Sequence, residues 1–150
     1  WGSTKKYIHN AKGFNSRLDP IQAIILNEKL KQLNVWNDER NQIAKFYQEN
    51  LDEKFYIPYP TNSNYHVWHL FVIRVNHRSK IIKNGKKNFI EFGIHYPKPI
   101  HRQKAFQDSK QYCEEIKNAD KFSSKLLSLP IFPNMKLKEM KKVVNFLNQI

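Results

Sequence analysis

The chain has 150 residues, 40% hydrophobic, 13% aromatic and 26% charged, a composition that excludes intrinsic disorder and fits one domain able to bury a core. No apolar run approaches the ~20 residues that cross a bilayer, and the longest candidate, Val67 to Val75, is interrupted by His69 and Arg74. A net charge of +13 raises the question of a phosphate-rich partner, while a single cysteine, Cys113, excludes an internal disulfide framework and points to a reducing compartment, the cytoplasm.

The chain opens on Trp1 and shows neither an apolar leader nor a cleavage site, so it reads as one entered midway through something longer. Gly2, Asn10, Gly13, Asn15 and Ser16 make residues 1–18 a loop approach. Asp19-Pro20 is an N-cap followed by the helical position that accepts proline, and neither Gly nor Pro recurs before Pro58. A long helix is predicted there. Leu26, Leu30, Leu33, Ile43, Tyr47 and Leu51 recur at three- and four-residue steps as one buried face, with Asn34 to Asn37 as the point where the helix bends or restarts.

Pro58 to Asn64 is a turn-rich connector, and Val67 to Val75, rich in β-branched and aromatic residues, is the expected central strand. Arg78 to Asn88 reads as a short helix ending near Gly85, and Phe89 to Tyr96 as a second strand. Tyr96-Pro97-Lys98-Pro99 is stiff and non-helical, because each proline pushes its predecessor toward extended geometry. Gln103 to Lys117 and Phe122 to Leu129 read as helices, and a last helix carries Leu137, Met140, Val143, Val144, Leu147 and Ile150 at helical spacing. The order implies an α+β domain, residues 19–150, with a small, mostly antiparallel sheet covered by helices.

The charge is Lys-rich, 21 Lys against 5 Arg, and scattered without a run longer than two. Base reading and bidentate phosphate binding favour Arg, so the pattern describes solvated faces more than a nucleic-acid surface. A non-enzymatic module for polyanions or nucleic acid is the alternative reading. No metal site is expected: His66 and His69, three apart on a strand, would face opposite sides, and His95 and His101 have no nearby Cys or carboxylate. Glu114 and Glu115 beside Cys113 disfavour a thiolate, and no Gly-x-Ser-x-Gly elbow or Gly-rich phosphate loop occurs. No complete catalytic apparatus is present. Two segments still stand out. Gly13 to Arg17 brings an amide and a guanidinium to a helix N-terminus, and His95 to His101 is rigid and rich in donors.

The run Gly13-Phe14-Asn15-Ser16-Arg17-Leu18-Asp19-Pro20-Ile21-Gln22-Ala23 resembles the Gly-x-Asn-x-Arg-Leu-Asp-x-x-Gln-Ala signature of DegT/StrS-type sugar aminotransferases. Trp36-Asn37 with Arg40, Ile43-Ala44 and Tyr47, then Val67 to Arg74, His95-Tyr96-Pro97 with Pro99-Ile100-His101 and Gln103, and Leu127 to Pro130 with Phe132-Pro133 resemble that family's C-terminal half in the same order. Gly2-Ser3 with Lys6-Tyr7 is similar to the stretch leading out of the large domain. Phe89 departs from the pattern, standing where members usually have Gly.

The resemblance implies the small C-terminal domain of a fold-type I enzyme, a homodimer that uses pyridoxal 5'-phosphate to move an amino group, usually from glutamate, onto a nucleotide-linked keto-sugar. It implies that Gly13 and Asn15 bind the cofactor, Asn15 reaching its phosphate in the other subunit. Arg17 is expected to meet the substrate diphosphate, His95 and Tyr96 to face the substrate, and His101 to be structural. In the family the lysine that forms the Schiff base lies upstream of the segment matched by Trp1 to Tyr7. No lysine here has its context, no catalytic residue is nominated, and the isolated chain is expected to be inactive.

Overall fold

A computed structural model describes residues 3–5, 8–9, 14, 17–61, 64–103 and 116–150. They fall into two compact units, 1–34 and 35–150. In the first, β1 (Ser3–Lys5) and β2 (Ile8–His9) pair antiparallel within the expected loop approach. Strands this short carry no alternating apolar pattern, which is why composition alone reads them as loop. α1 (Pro20–Leu30) starts as its residues require: Asp19 accepts the Ile21 N–H at 2.9 Å and Pro20 takes the first turn.

The long helix expected from Asp19 onward is two helices. α1 ends at Leu30 and α2 spans Leu33–Asn50. Between them the Gln32 N–H bonds the Lys29 carbonyl at 3.0 Å, a tightened turn ahead of Asn34 to Asn37. From Asn27 to Gln32 only Leu30 is apolar, so nothing holds a continuous stripe across the break. The buried face accordingly runs through Ile43, Tyr47 and Leu51, while Leu26, Leu30 and Leu33 are exposed.

The second unit is built on β3 (Phe71–Arg74) and β4 (Leu126–Leu129), antiparallel with Phe71 opposite Leu129 and Arg74 opposite Leu126. Phe71 and Ile73 point into the core, and Val72 and Arg74 are half-buried, the alternation of a strand with one face covered. β3 is shorter than the expected Val67 to Val75. Trp68 has φ 48°, a left-handed conformation that ends extended backbone, and its N–H bonds His66 Nδ1 at 2.9 Å. The expected helix from Phe122 to Leu129 is also corrected: α4 covers Lys117–Ser123, and Leu126–Leu129 is strand β4. Helical spacing and a buried strand are indistinguishable over so short an apolar run, and the partner strand decides. Residues 104–115 of the expected Gln103 to Lys117 helix lie outside the described residues.

α3 (Arg78–Lys87) runs past Gly85, which is buried within it. A Cβ at Gly85 would sit 2.5 Å from the Phe92 ring, so the missing side chain is what lets Phe92 pack. The expected strand Phe89 to Tyr96 reduces to one bridge, Gly93 to Ser128. α5 (Leu137–Asn148) matches expectation, and the Lys136 N–H is held by Glu139 Oε2 at 2.7 Å. The core joins α2, β3, β4, α3 and α5, with Tyr47, Phe71, Ile73, Leu127 and Leu147 fully buried. The Tyr47 hydroxyl donates to the Pro130 carbonyl at 2.8 Å, and burial pushes its pKa upward, so it stays a neutral donor. No described helix is long and apolar enough to cross a membrane.

α3 closes on paired bonds, Ile90 N–H to the Gly85 carbonyl at 2.9 Å and Phe89 N–H to the Lys86 carbonyl at 3.1 Å. This is the helix-ending turn whose first residue beyond the cap adopts left-handed geometry, normally as glycine. Here it is Phe89, at φ 54° and 91% exposed. The backbone keeps the turn and carries the strain. Phe89→Gly is expected to raise unfolding free energy by roughly 0.5–1 kcal/mol, relief of left-handed strain outweighing the entropy of glycine. Phe89→Ala, which retains a Cβ, is expected to give no such gain. Urea denaturation of the three proteins checks both.

Candidate functional site

The Gly93–Ser128 bridge positions the residues expected at the substrate side. Gly93 and Ser128 exchange two backbone hydrogen bonds, of 3.0 and 2.9 Å. Two residues on, His95 Nδ1 lies 2.8 Å from the Ser128 hydroxyl. Ser128 is 3% exposed, the one buried polar side chain among the described residues. Its hydroxyl therefore fixes the ring of a half-buried histidine and leaves Nε2 without a partner among the described residues. Room for that ring depends on Gly93, where an added Cβ would stand 2.7 Å from His95 Cε1. Tyr96 packs edge-on against His95 at 5.5 Å and 84°, is largely exposed, and follows a cis peptide.

Tyr96, Lys98, Ile100, Gln103 and Phe122 line a cleft of about 340 Å³. Its wall, the turn Ile100–Arg102, is tied to α4 through Asp120: Arg102 donates to its two oxygens at 3.0 and 2.7 Å, and His101 Nε2 lies 2.9 Å from Oδ1. Hydrogen bonding from Arg102, joined by His101 and only partly opposed by burial, holds the Asp120 carboxyl down at about 2. His101 is thus an anchor of the segment.

The structure brings His95 and Tyr96 together. Arg17 is exposed, two residues ahead of the α1 cap, and belongs to the first unit. Gly13 and Asn15 lie outside the described residues. Reasoning from sequence missed Ser128 and Asp120 as partners. The signal for Ser128 was one hydroxyl within Leu-Leu-Ser-Leu; for Asp120, distant along the chain from His101, there was none. The paired histidines are engaged elsewhere, His66 with the Trp68 backbone and His101 with Asp120.

A model of the DegT/DnrJ/EryC1/StrS aminotransferase family matches residues 2–148. The chain belongs to this family. It is similar to the dTDP-3-amino-3,6-dideoxy-alpha-D-galactopyranose transaminase of Aneurinibacillus thermoaerophilus, 41% identical over 99% of this chain and 41% of that protein. Among solved structures it resembles S. venezuelae DesV in complex with a ketimine intermediate, with TM-score 0.89 and 31% identity over 99% of this chain and 40% of that one. It also resembles NtdA of Bacillus subtilis with bound cofactor PMP, with TM-score 0.82 and 29% identity over 97% and 35%. The chain therefore spans about two fifths of the relatives it matches. The small α+β fold with short antiparallel sheets is that of the corresponding part of these sugar aminotransferases.

Two outcomes are expected. Ser128→Ala and Gly93→Ala each release or displace the His95 ring, changing its imidazole ¹⁵N resonances; a spectrum identical to the parent's in both variants would show that neither positions it. The stability contributed by Asp120, whose carboxyl is depressed in the folded state, is full above pH 4 and is lost as pH falls toward about 2. Asp120→Asn should accordingly lower stability at pH 7, with the difference vanishing near pH 2 in denaturant titrations.

Proposed function

We propose that the full-length protein is a pyridoxal-phosphate-dependent aminotransferase that moves an amino group from glutamate onto a nucleotide-linked keto-sugar, in deoxy-aminosugar biosynthesis in the cytoplasm. The observation that carries this reading is the family match over residues 2–148. The transaminase named among its relatives and the neighbour holding PMP support it. We take the working form to be a homodimer whose cofactor site is shared between subunits, and residues 19–150 to be its small domain, entered through 1–18.

Pyridoxal phosphate, when bound, supplies the electron sink that amino transfer requires. Within this chain Gly13 and Asn15 would help bind it, Asn15 at the cofactor phosphate of the other subunit. Arg17 offers a charged fork suited to a diphosphate, a two-bond task that lysine performs poorly. His95, its ring held through Ser128, would bind or hold a proton for a sugar oxygen at Nε2, with Tyr96 closing the substrate side. No lysine in the chain is assigned the covalent role, and the 150 residues alone are expected to show no transamination.

The deciding experiment is the visible spectrum of the full-length protein with pyridoxal phosphate and then glutamate. A cofactor band that glutamate bleaches is the expected result, and a folded full-length protein with no band would overturn the reading. Arg17→Lys is then expected to weaken nucleotide-sugar binding by about 1–3 kcal/mol, measured by calorimetry.

A further inference from the structure

Apart from the cleft lined by Tyr96 and Phe122, a larger cavity of about 440 Å³ lies between the end of β3, the start of α3 and the segment after α2. It shares only Phe122 with that cleft. Phe55, Val75, Ile81 and Phe122 supply apolar surface, and among the described residues no Asp or Glu side chain lines it. Its charged side chains are basic, beside the polar Tyr56 and Asn76. Lys54 is engaged, by Asp52 at 3.0 Å and by the carbonyl oxygens of Asn148 and Ile150.

Arg74 is different. Its guanidinium carbon is 3.4 Å from the centre of the Tyr56 ring and 4.3 Å from that of Phe122, so the planar group is held between two aromatic rings. The rings shield its faces from water and restrict its orientation, while its in-plane N–H donors find no acceptor among the described residues. Its open donors make it available to an anion that enters the cavity. Lys80 and Lys125 line the same cavity and have no carboxylate partner among the described residues. From α3, Lys80 and Ile81 reach this wall, one basic and one apolar. Three features, a ring-stacked arginine, two lysines with no carboxylate partner among the described residues and a described lining without Asp or Glu, thus suit the same kind of ligand.

We propose that this cavity binds a phosphate-bearing small molecule, the phosphate seated between Arg74, Lys80 and Lys125 and a ring portion laid against Phe55, Ile81 and Phe122. A bare phosphate would leave most of the volume empty, whereas the cavity has the size of ordinary small-ligand sites. The site does not depend on the aminotransferase reading.

The test is isothermal titration of the full-length protein with uridine 5'-monophosphate, repeated with inorganic phosphate. Saturable nucleotide binding is expected, with phosphate competing more weakly. Arg74→Gln should weaken it about tenfold or more, as loss of a charged hydrogen-bonding group does. Arg74 packs between rings, so Lys80→Ala and Lys125→Ala, each with unchanged thermal unfolding, provide the second line: each should weaken binding several-fold. Lys138→Ala, at an exposed lysine outside the cavity, should leave it unchanged. Absence of saturable binding, or affinity untouched in all three basic variants, would overturn the proposal. So would binding lost in Arg17→Lys alone, which would put the nucleotide at the proposed substrate residue. Equal affinity for phosphate and nucleotide would overturn the role of the apolar wall.

Discussion

Strand β4 is the constraint on which the second unit depends. Its four residues are bonded on one edge by β3, from Phe71 opposite Leu129 to Arg74 opposite Leu126, and on the other by Gly93 at Ser128. A strand bonded on both sides has its backbone polar groups satisfied, so it can be buried without penalty and can carry Leu127 and Leu129 into the core. His95, expected at the substrate side, is held by that strand. Ser128 orients His95, Gly93 leaves room for the ring, and the Pro130 carbonyl that ends the strand receives the hydroxyl of Tyr47 from α2.

The absence of two side chains matters here as much as the presence of others. Gly85 lets Phe92 close on α3, and Gly93 lets His95 lie against Ser128, in both cases because a Cβ would come within 3 Å of a ring. At Phe89 the opposite holds: a glycine position of the helix-ending turn is filled by a bulky exposed residue, and the turn persists because the two closing hydrogen bonds and the burial of Ile90 outweigh the strain.

The basic charge separates on the same terms. Most lysines are solvated, as their scatter along the chain implied. Arg74 is half-buried, its guanidinium stacked on Tyr56 and Phe122. Arg102 is committed to Asp120, holding the proline-rich segment to α4. An arginine's meaning in this protein follows from what touches its plane and its edge, and neither can be counted from composition.

Local chemistry was legible in the sequence where a few neighbouring residues suffice to define a conformation. Asp19-Pro20 specified the start of α1, the apolar spacing from Leu137 to Leu147 specified α5, and the ordered motifs from Gly13 to Pro133 specified the family. Elements whose hydrogen bonds come from elsewhere were not legible. Leu126 to Leu129 reads as helix or strand until β3 is beside it, Val67 to Leu70 is released from the strand by the left-handed turn at Trp68, and the helix after Asp19 divides where its apolar stripe lapses. The sequence by itself determined the caps, the amphipathic last helix and the candidate residues His95 and Tyr96. Only the tertiary structure decided that Ser128 holds His95 and Asp120 anchors His101, because those hydrogen bonds join residues 33 and 19 positions apart, a separation that no local pattern encodes.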